Sequence, residues 1–506
     1  MSKQLLKTIL PMMAMLFTAG CMVGPKYQTP PATAQAPPVS YKESPTQFPP
    51  AEGWTVAQPQ DEMLRGKWWE IYNDSELSSL EEQLNVNNQN IKQAFENFMA
   101  ARALIAEAHA QLYPTIAIGP SYSRSRGSAN TGTVTNTVAS NGAHAASLNT
   151  LPLTISWEPD LWGRVRNTIR NAQYNAQLSA ADLENERLTE QALLATTFFE
   201  IRGQDALIQL FQDTVEQDQK ALDLAKARYE TGVDTEISVV EAQNTLQNAQ
   251  AGLTNLGIAR AQFEHSIAML IGANASRFSI PNRALKAVPP PVPIGIPSEL
   301  LQRRPDIAAA ERNMAAANAQ IGVAVAAFYP SLDLSAGGGF ESSTFKHLFD
   351  LASRTWSVGG TVNETIYDAG LRRATVNQFI ETYNADVAGY RQTVLTAFEQ
   401  VEDALASLRI LSQQMKQQED AVHSAQRFVE LEMGRYQTGI DPYVNVVTAQ
   451  NTLLSDQQAL TSLHTQHMAA SVQLIEALGG GWDRSQLPST GDVSKKLTAS
   501  ETTIQR

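Results

Sequence analysis

Apolar residues recur along this chain with two different periods. In four short stretches they alternate with small polar residues. Leu151, Leu153, Ile155 and Trp157 share one parity, and Thr150, Pro152, Thr154 and Ser156 share the other. Ile116, Ile118, Pro120 and Tyr122 likewise oppose Thr115, Ala117, Gly119, Ser121 and Ser123. In the second half, Leu332, Leu334, Ala336 and Phe340 oppose Ser331, Asp333 and Ser335, while Trp356, Val358, Val362 and Ile366 oppose Ser357, Thr361, Asn363 and Thr365. A period of two predicts strands, at about 115–126, 148–158, 331–340 and 356–367. Segments of about ten residues cross a bilayer when tilted. Apolar-out, polar-in alternation with terminal aromatics is the pattern of a transmembrane barrel. Glu364 falls on the apolar parity, so we expect it at the barrel rim or against helices. The connections 127–146 and 341–355, rich in Ser, Thr, Asn and Gly, read as loops outside the cell.

Elsewhere the period is helical. No proline interrupts 163–229 or 370–439, which predicts helices over 163–230 and 370–438, each about 100 Å long at 1.5 Å per residue. Val401, Leu408, Met415, Val422, Val429 and Tyr436 form a seven-residue comb, and heptad spacing implies supercoiled neighbours. Return helices are expected at 235–272 and 442–478, and a further helix at 305–329. A soluble four-helix bundle is the plainer alternative, but helices of this length exceed the usual bundle.

The two halves are copies. Residues 228–248 and 435–455 match at 12 of 21 positions under a constant shift of 207. Leu112-Tyr113-Pro114-Thr115-Ile116 answers to Phe328-Tyr329-Pro330-Ser331-Leu332. This is an internal duplication, dividing the chain into repeat 1 (61–276), a Pro-rich linker (277–300) and repeat 2 (301–482). The repeated Tyr-x-Thr-Gly-x-Asp segments lie between long helical runs and form their tips. There Gly232 and Gly439 suit a helix C-terminal cap, and Asp234 and Asp441 suit the next N-cap.

The N-terminus is an address. Lys3 and Lys7, an apolar stretch and Thr18-Ala19-Gly20 precede Cys21, the only cysteine. Residues 1–20 read as a secretory signal. The arrangement resembles a bacterial lipobox, with Thr18 where leucine is usual, so Cys21 is the candidate acylation site and Met22 after it points to outer-membrane sorting. An ordinary cleaved signal with a chance cysteine is the alternative. Residues 21–60 read as an extended tether and 483–506 as a disordered tail. The formal net charge of −13 argues against nucleic-acid binding; losing the two signal lysines makes it −15. One cysteine excludes an internal disulfide framework.

Four strands cannot close a pore by themselves. An open edge in lipid leaves backbone groups unpaired at several kcal/mol each, so copies must share one barrel, and periodicity alone allows two, three or four.

Further motifs carry a resemblance. Lys67-Trp68-Trp69 with Leu77 and Leu80, the block Leu300-Leu301-Gln302-Arg303-Arg304-Pro305-Asp306-Ile307, Phe328-Tyr329-Pro330-Ser331, and Leu478-Gly479-Gly480-Gly481-Trp482 resemble TolC-like outer-membrane efflux factors, in the lipoprotein branch serving resistance-nodulation-division pumps. The resemblance spans nearly all of the mature chain. It implies an α+β membrane protein: a homotrimer with a twelve-strand barrel, a twelve-helix periplasmic tunnel, and a belt from segments near 61–90, 277–300 and 460–482. The implied partners are a periplasmic adaptor protein, an inner-membrane pump and outer-membrane lipid through acylated Cys21. The family's tips close the tunnel and open on partner engagement, which makes Tyr229, Glu241, Tyr436 and Asp441 gate candidates. Relatives often carry aspartates after the second tip, where this chain has Asn445 and Thr448. An acidic ring is therefore missing there, and Glu241 replaces part of it. Closure is expected to use hydrogen bonds plus packing of Tyr436 and Val444.

No constellation of acid, base and nucleophile points to an enzyme, and no cofactor is implied. His464 and His467 stand three apart on a helix with no third ligand in view. Gly337-Gly338-Gly339 lacks the lysine of a phosphate loop. A type I protein-secretion duct and a lipid-anchored structural coiled coil remain the competing functions.

Overall fold

The computed structural model describes residues 22–33, 38, 40–43, 54–56, 66–126, 145–285, 288–294 and 297–495. The signal 1–20, Cys21, about half of the tether, the loop 127–144 and the end of the tail lie outside the described residues.

The long helices and their return helices follow the duplication at the constant shift of 207. Repeat 1 contains α1 (Ser75–Asn87), α2 (Gln89–Ala110), β1 (Thr115–Ile118), β2 (Ser121–Arg126), β3 (Ala145–Trp157), α3 (Arg164–Glu230) and α4 (Glu236–Leu270). Repeat 2 contains α5 (Pro305–Ala326), β4 (Ser331–Ser342), β5 (Arg354–Asn363), α6 (Leu371–Gln437) and α7 (Tyr443–Ala477). Corresponding helices have equal lengths: 22 residues in α2 and α5, 67 in α3 and α6, 35 in α4 and α7. At 1.5 Å per residue, α3 and α6 each span about 100 Å. The heptad comb of α6 turns inward, with Val401, Leu408, Met415, Val422 and Tyr436 buried.

Each long helix is flanked by a column made of two shorter helices placed end to end. Asn88 caps α2, its carboxamide oxygen accepting from the Asn90 and Ile91 amides, and its Nδ2 donates to the last-turn carbonyl of Leu270 at 2.9 Å. In the other repeat Arg304 Nη1 donates to Ala477 O at 2.9 Å. The chain must leave α4 and α7 sharply at these joints. Gly272 and Gly479, 207 residues apart, take left-handed φ of 68° and 94°. A Cβ on Gly479 would stand 1.9 Å from Arg303 O, and one on Gly272 2.7 Å from Asn87 O. Only glycine meets both demands.

The joints sit inside a belt that holds the largest apolar core. Trp68, Trp69, Leu77, Phe198, Ile294, Leu300, Leu408, Met468 and Leu474 are buried there. Arg202 is buried among them with its charge paired: its terminal nitrogens bond Asp205 at 3.1 Å, Pro281 O at 2.7 Å and the Glu76 carboxylate, and it lies over the Phe198 ring. A buried cation so paired avoids the desolvation penalty of an isolated one.

The terminal segments are more ordered than their composition suggests. The expected tether runs along the helices as a strap: Tyr27 bonds Glu311, the Lys42 amide bonds Glu402, and Glu43 pairs with Arg409 at 2.6 Å. Residues 54–56 add a parallel strand beside Val292–Ile294. The expectation of disorder over 483–506 is corrected for its first part. Residues 490–493 form a helical turn with a Ser489–Asp492 capping box, Gln177 donates to Pro488 O, and Val493 is buried beside Ile105 and Ala176. Polar composition did not register these contacts because most are backbone carbonyls captured by distant side chains.

Candidate functional site

Two places carry the geometry of function, a two-faced sheet at one end of the helices and the tip turns at the other. In the sheet the strands run β1/β2–β3–β4–β5, antiparallel throughout. The single strand expected over 115–126 is divided at Gly119-Pro120, where proline offers no amide, yet the register continues: Ile118 faces Leu153 and Ser121 faces Thr150. The last strand ends at Asn363, short of the expected 367. Glu364, just beyond it, lies 3.4 Å from Arg372 at the start of α6, where the sheet meets the helices.

Register settles which residues share a face. Ile116 pairs with Ile155 and that in turn with Ala336; Ile118 pairs with Leu153 and that with Gly338; Leu332 pairs with Val362 and Gly338 with Trp356. The other face carries Thr115, Ser156, Ser335, Gly359, Asp333 and Thr361. The apolar face is solvent-exposed in the isolated chain, with Trp356 82% and Val358 77% accessible. β1/β2 and β5 are edges without partners among the described residues. A sheet with one greasy face, one polar face and two open edges is a barrel segment awaiting copies of itself.

At the far end both hairpins turn through the same motif. The amides of Gly232 and Val233 donate to Tyr229 O and Arg228 O, and those of Gly439 and Ile440 donate to Tyr436 O and Arg435 O, all at 2.9–3.0 Å. This is the Schellman closure, with φ of 73° at Gly232 and 77° at Gly439. The aspartates do not act as N-caps. The caps are Thr235 and Pro442, and neither makes a side-chain capping bond. Asp234 instead ties the hairpins together: its Oδ2 accepts from Tyr436 Oη at 2.6 Å, and its Oδ1 accepts from Thr235 N and Ser238 Oγ at 2.7 and 2.8 Å. Burial opposes ionisation of Asp234, but these bonds and Arg228, 3.8 Å away, outweigh it and hold the carboxyl below its ordinary value. Asp441, in the matching position, pairs with Arg435.

The repeats are thus equivalent in backbone and unequal in chemistry. Tyr436 is 2% accessible, stacked edge-on against Tyr443 with centroids 5.1 Å apart, under the Arg228 guanidinium at 4.8 Å. Its counterpart Tyr229 is 47% accessible. Val444 is 45% accessible in the isolated chain. Thr448 is exposed and bonds back to Val444 O, while Asn445 is half-buried and supports Asp441. Glu241 lines a cavity of about 410 Å³ together with Asn244, Asn248, Gln450 and Asp218. Asp218 was not legible in the sequence as special; it is buried, Oδ2 has no hydrogen-bond partner among the described residues, and burial pushes its carboxyl up to about 6. Arg228 and Tyr443 were missed as well. The one available signal was the mismatch at 236 and 443, Glu in one repeat and Tyr in the other. His467 is buried in the belt and His464 half-buried; among the described residues no group of three suitable side chains gathers for a metal.

The profile described as "Outer membrane efflux protein" matches residues 80–273 and 296–480. The "Toluene efflux pump outer membrane protein TtgC" of Pseudomonas putida is 31% identical over 465 residues, covering 92% of this chain and 93% of that protein. The "Outer membrane protein OprJ" of Pseudomonas aeruginosa is 29% identical over 483 residues, covering 93% and 95%. Among solved structures, the outer-membrane channel OprN superposes with a TM-score of 0.79 at 26% identity, over 91% of this chain and all of that one. The open-state MtrE channel of Neisseria gonorrhoeae, at 23% identity and a TM-score of 0.75, shares the fold.

Proposed function

Because this chain belongs to the outer membrane efflux protein family, we propose that it is the exit duct of a tripartite efflux system. Three copies share one barrel: β5 of each pairs with β1/β2 of the next, and three times four strands make twelve. The six long helices and six two-piece columns continue that barrel as a periplasmic tunnel. The observation that carries this reading is the two-faced, open-edged sheet joined at its base to helices about 100 Å long. Transport energy comes from an inner-membrane resistance-nodulation-division pump, coupled through a periplasmic adaptor protein. The duct itself conducts passively.

The relatives' names point to the cargo. Toluene, solvents and antibiotics are what those proteins are named for, and the proposed substrates are small, largely apolar toxic compounds of that kind. Names of this type favour efflux over type I protein secretion. The first described residues support acylation of Cys21. Met22 packs against Gly163, Val23 N donates to Trp162 O, and Asn167 donates to Val23 O. These contacts lie where β3 passes into α3, which ties the first described residues to the junction of sheet and helices. The tip cluster of Tyr436, Asp234 and Arg228 holds the tunnel's end closed, with Arg435–Asp441 beside it.

The test is susceptibility profiling. Deleting the gene lowers resistance to toluene and several antibiotics, the loss equals that from deleting the pump, and purified protein conducts ions across planar bilayers. A deletion strain as resistant as its parent, with purified protein that forms no conductance, removes this reading.

A further inference from the structure

We infer that the outer rim of the barrel binds phosphate-bearing glycolipid headgroups of the outer leaflet through an arginine cluster at each seam between copies. The inference rests on the barrel reading above. It starts from parity. Arg124 faces Ser147, Arg126 faces Ala145 and Arg354 faces Phe340. Each therefore projects from the same face as Ile118, Leu153, Trp356 and Val358, the face that meets lipid. All three stand at strand ends remote from the helices, beside the hairpin connections, and so at the outer surface.

Depth comes from the aromatics. Tyr122 and Trp356 are exposed on that face, the placement of an interfacial girdle. Arg124 lies two residues outward of Tyr122, and Arg354 two residues outward of Trp356. Two residues of strand are roughly 7 Å, which lifts a guanidinium from the girdle to headgroup height. Arg124 and Arg126 lie on one edge of the four-strand sheet and Arg354 on the other. Closing the barrel joins these edges, so the arginines of two copies meet at each seam.

Among the described residues nothing neutralises them. Among the described residues none of the three makes an ion pair, and the connection 127–144 contains no Asp or Glu. Glu341 faces Thr150 and so points to the lumen, while Asp350 pairs with His347 at 2.8 Å. Like charges gathered on a lipid-facing rim repel unless an anion sits among them. Phosphate is the fitting anion, because guanidinium binds it with paired charge-assisted hydrogen bonds. In the outer leaflet, a phosphorylated glycolipid presents that group at this depth.

The experiment uses the full-length trimer in phosphatidylcholine vesicles carrying a minority of bis-phosphorylated lipid A. Parallel arms carry enzymatically dephosphorylated lipid A or phosphatidylglycerol. Retained lipid and the temperature at which the trimer dissociates on a gel are both read. The phosphorylated glycolipid is expected to be retained and to raise that temperature above both other arms. R124Q/R126Q/R354Q is expected to lose the rise and to bind about tenfold more weakly or worse, while R427Q on the tunnel helix matches the parent. Equal retention by the triple variant overturns the inference, as does equal stabilisation by dephosphorylated lipid A or by phosphatidylglycerol. Light scattering in detergent, without glycolipid, separates the two readings: a parent that is monomeric there sinks the barrel, whereas trimeric parent and variant with identical lipid binding sink only the rim site.

Discussion

Tyr436→Phe isolates the bond that joins the two tip hairpins. The phenol donates at 2.6 Å to Asp234 Oδ2, across 202 residues of sequence. A hydrogen bond to a charged partner contributes about 1.5–3 kcal/mol. Asp234 keeps its two Oδ1 donors and the nearby Arg228, so the lower part of that range applies, about 1.5–2 kcal/mol. Phenylalanine preserves the ring against Tyr443 and beneath Arg228, so packing is not at issue. A loss of about 1.4 kcal/mol shifts an opening equilibrium about tenfold. Tyr436→Ala also removes a buried aromatic ring, a change that costs about 3–5 kcal/mol, and should open the tip further. The assay is open fraction and conductance of single trimers in planar bilayers, run as a cycle with Asp234→Ala. Because both changes delete the same bond, the double variant should show a coupling of about 1.5–2 kcal/mol. A Y436F channel with the parent's open fraction, or two effects that simply add, refutes the argument.

Three other outcomes follow from the same geometry. Asp218 and Asp234 respond to pH in opposite senses. Burial raises Asp218 to about 6, so its contribution is complete below the unfolded value near 4 and is lost as pH rises through about 6; D218N should stabilise the tip at pH 7.5 by roughly 2 kcal/mol, seen as slower amide exchange in α3 and α7. Asp234 is lowered, so the stability it supplies is present above about 4 and lost as pH falls through its folded value; D234N should remove that acid sensitivity of tip opening. Gly479→Ala places a methyl 1.9 Å from Arg303 O at φ of 94°, and should lower the trimer's thermal stability by about 2 kcal/mol or more, whereas Gly389→Ala, with open space around it, should not. Val358→Arg, on the lipid face, should cost about 2–4 kcal/mol and abolish heat-modifiable trimer on a gel; Ser357→Arg, on the opposite face, should leave the trimer and change conductance.

Local periodicity and proline-free runs placed α3 to α7 and the four strand segments within about four residues. That follows from the physics of the elements. A strand with one lipid face must alternate, and a helix in a tunnel wall must repeat its seam, so both leave a trace in adjacent residues. The shift of 207 located both tip turns for the same reason, since a Schellman closure needs glycine at one fixed offset.

What the duplication hid is the difference between its copies. The sequence marks Tyr229 and Tyr436 as equivalents, and only packing decides that one is exposed and the other is buried against Tyr443. Asp234 and Asp441 look like caps, yet one bridges hairpins and the other holds its own arginine. The joints at Asn88 and Arg304, the buried Asp218 and the strapped ends of the chain were equally silent. Their partners lie tens to hundreds of residues away, and the energy of such contacts depends on which helices meet, a matter settled by the whole fold and not by any window of sequence.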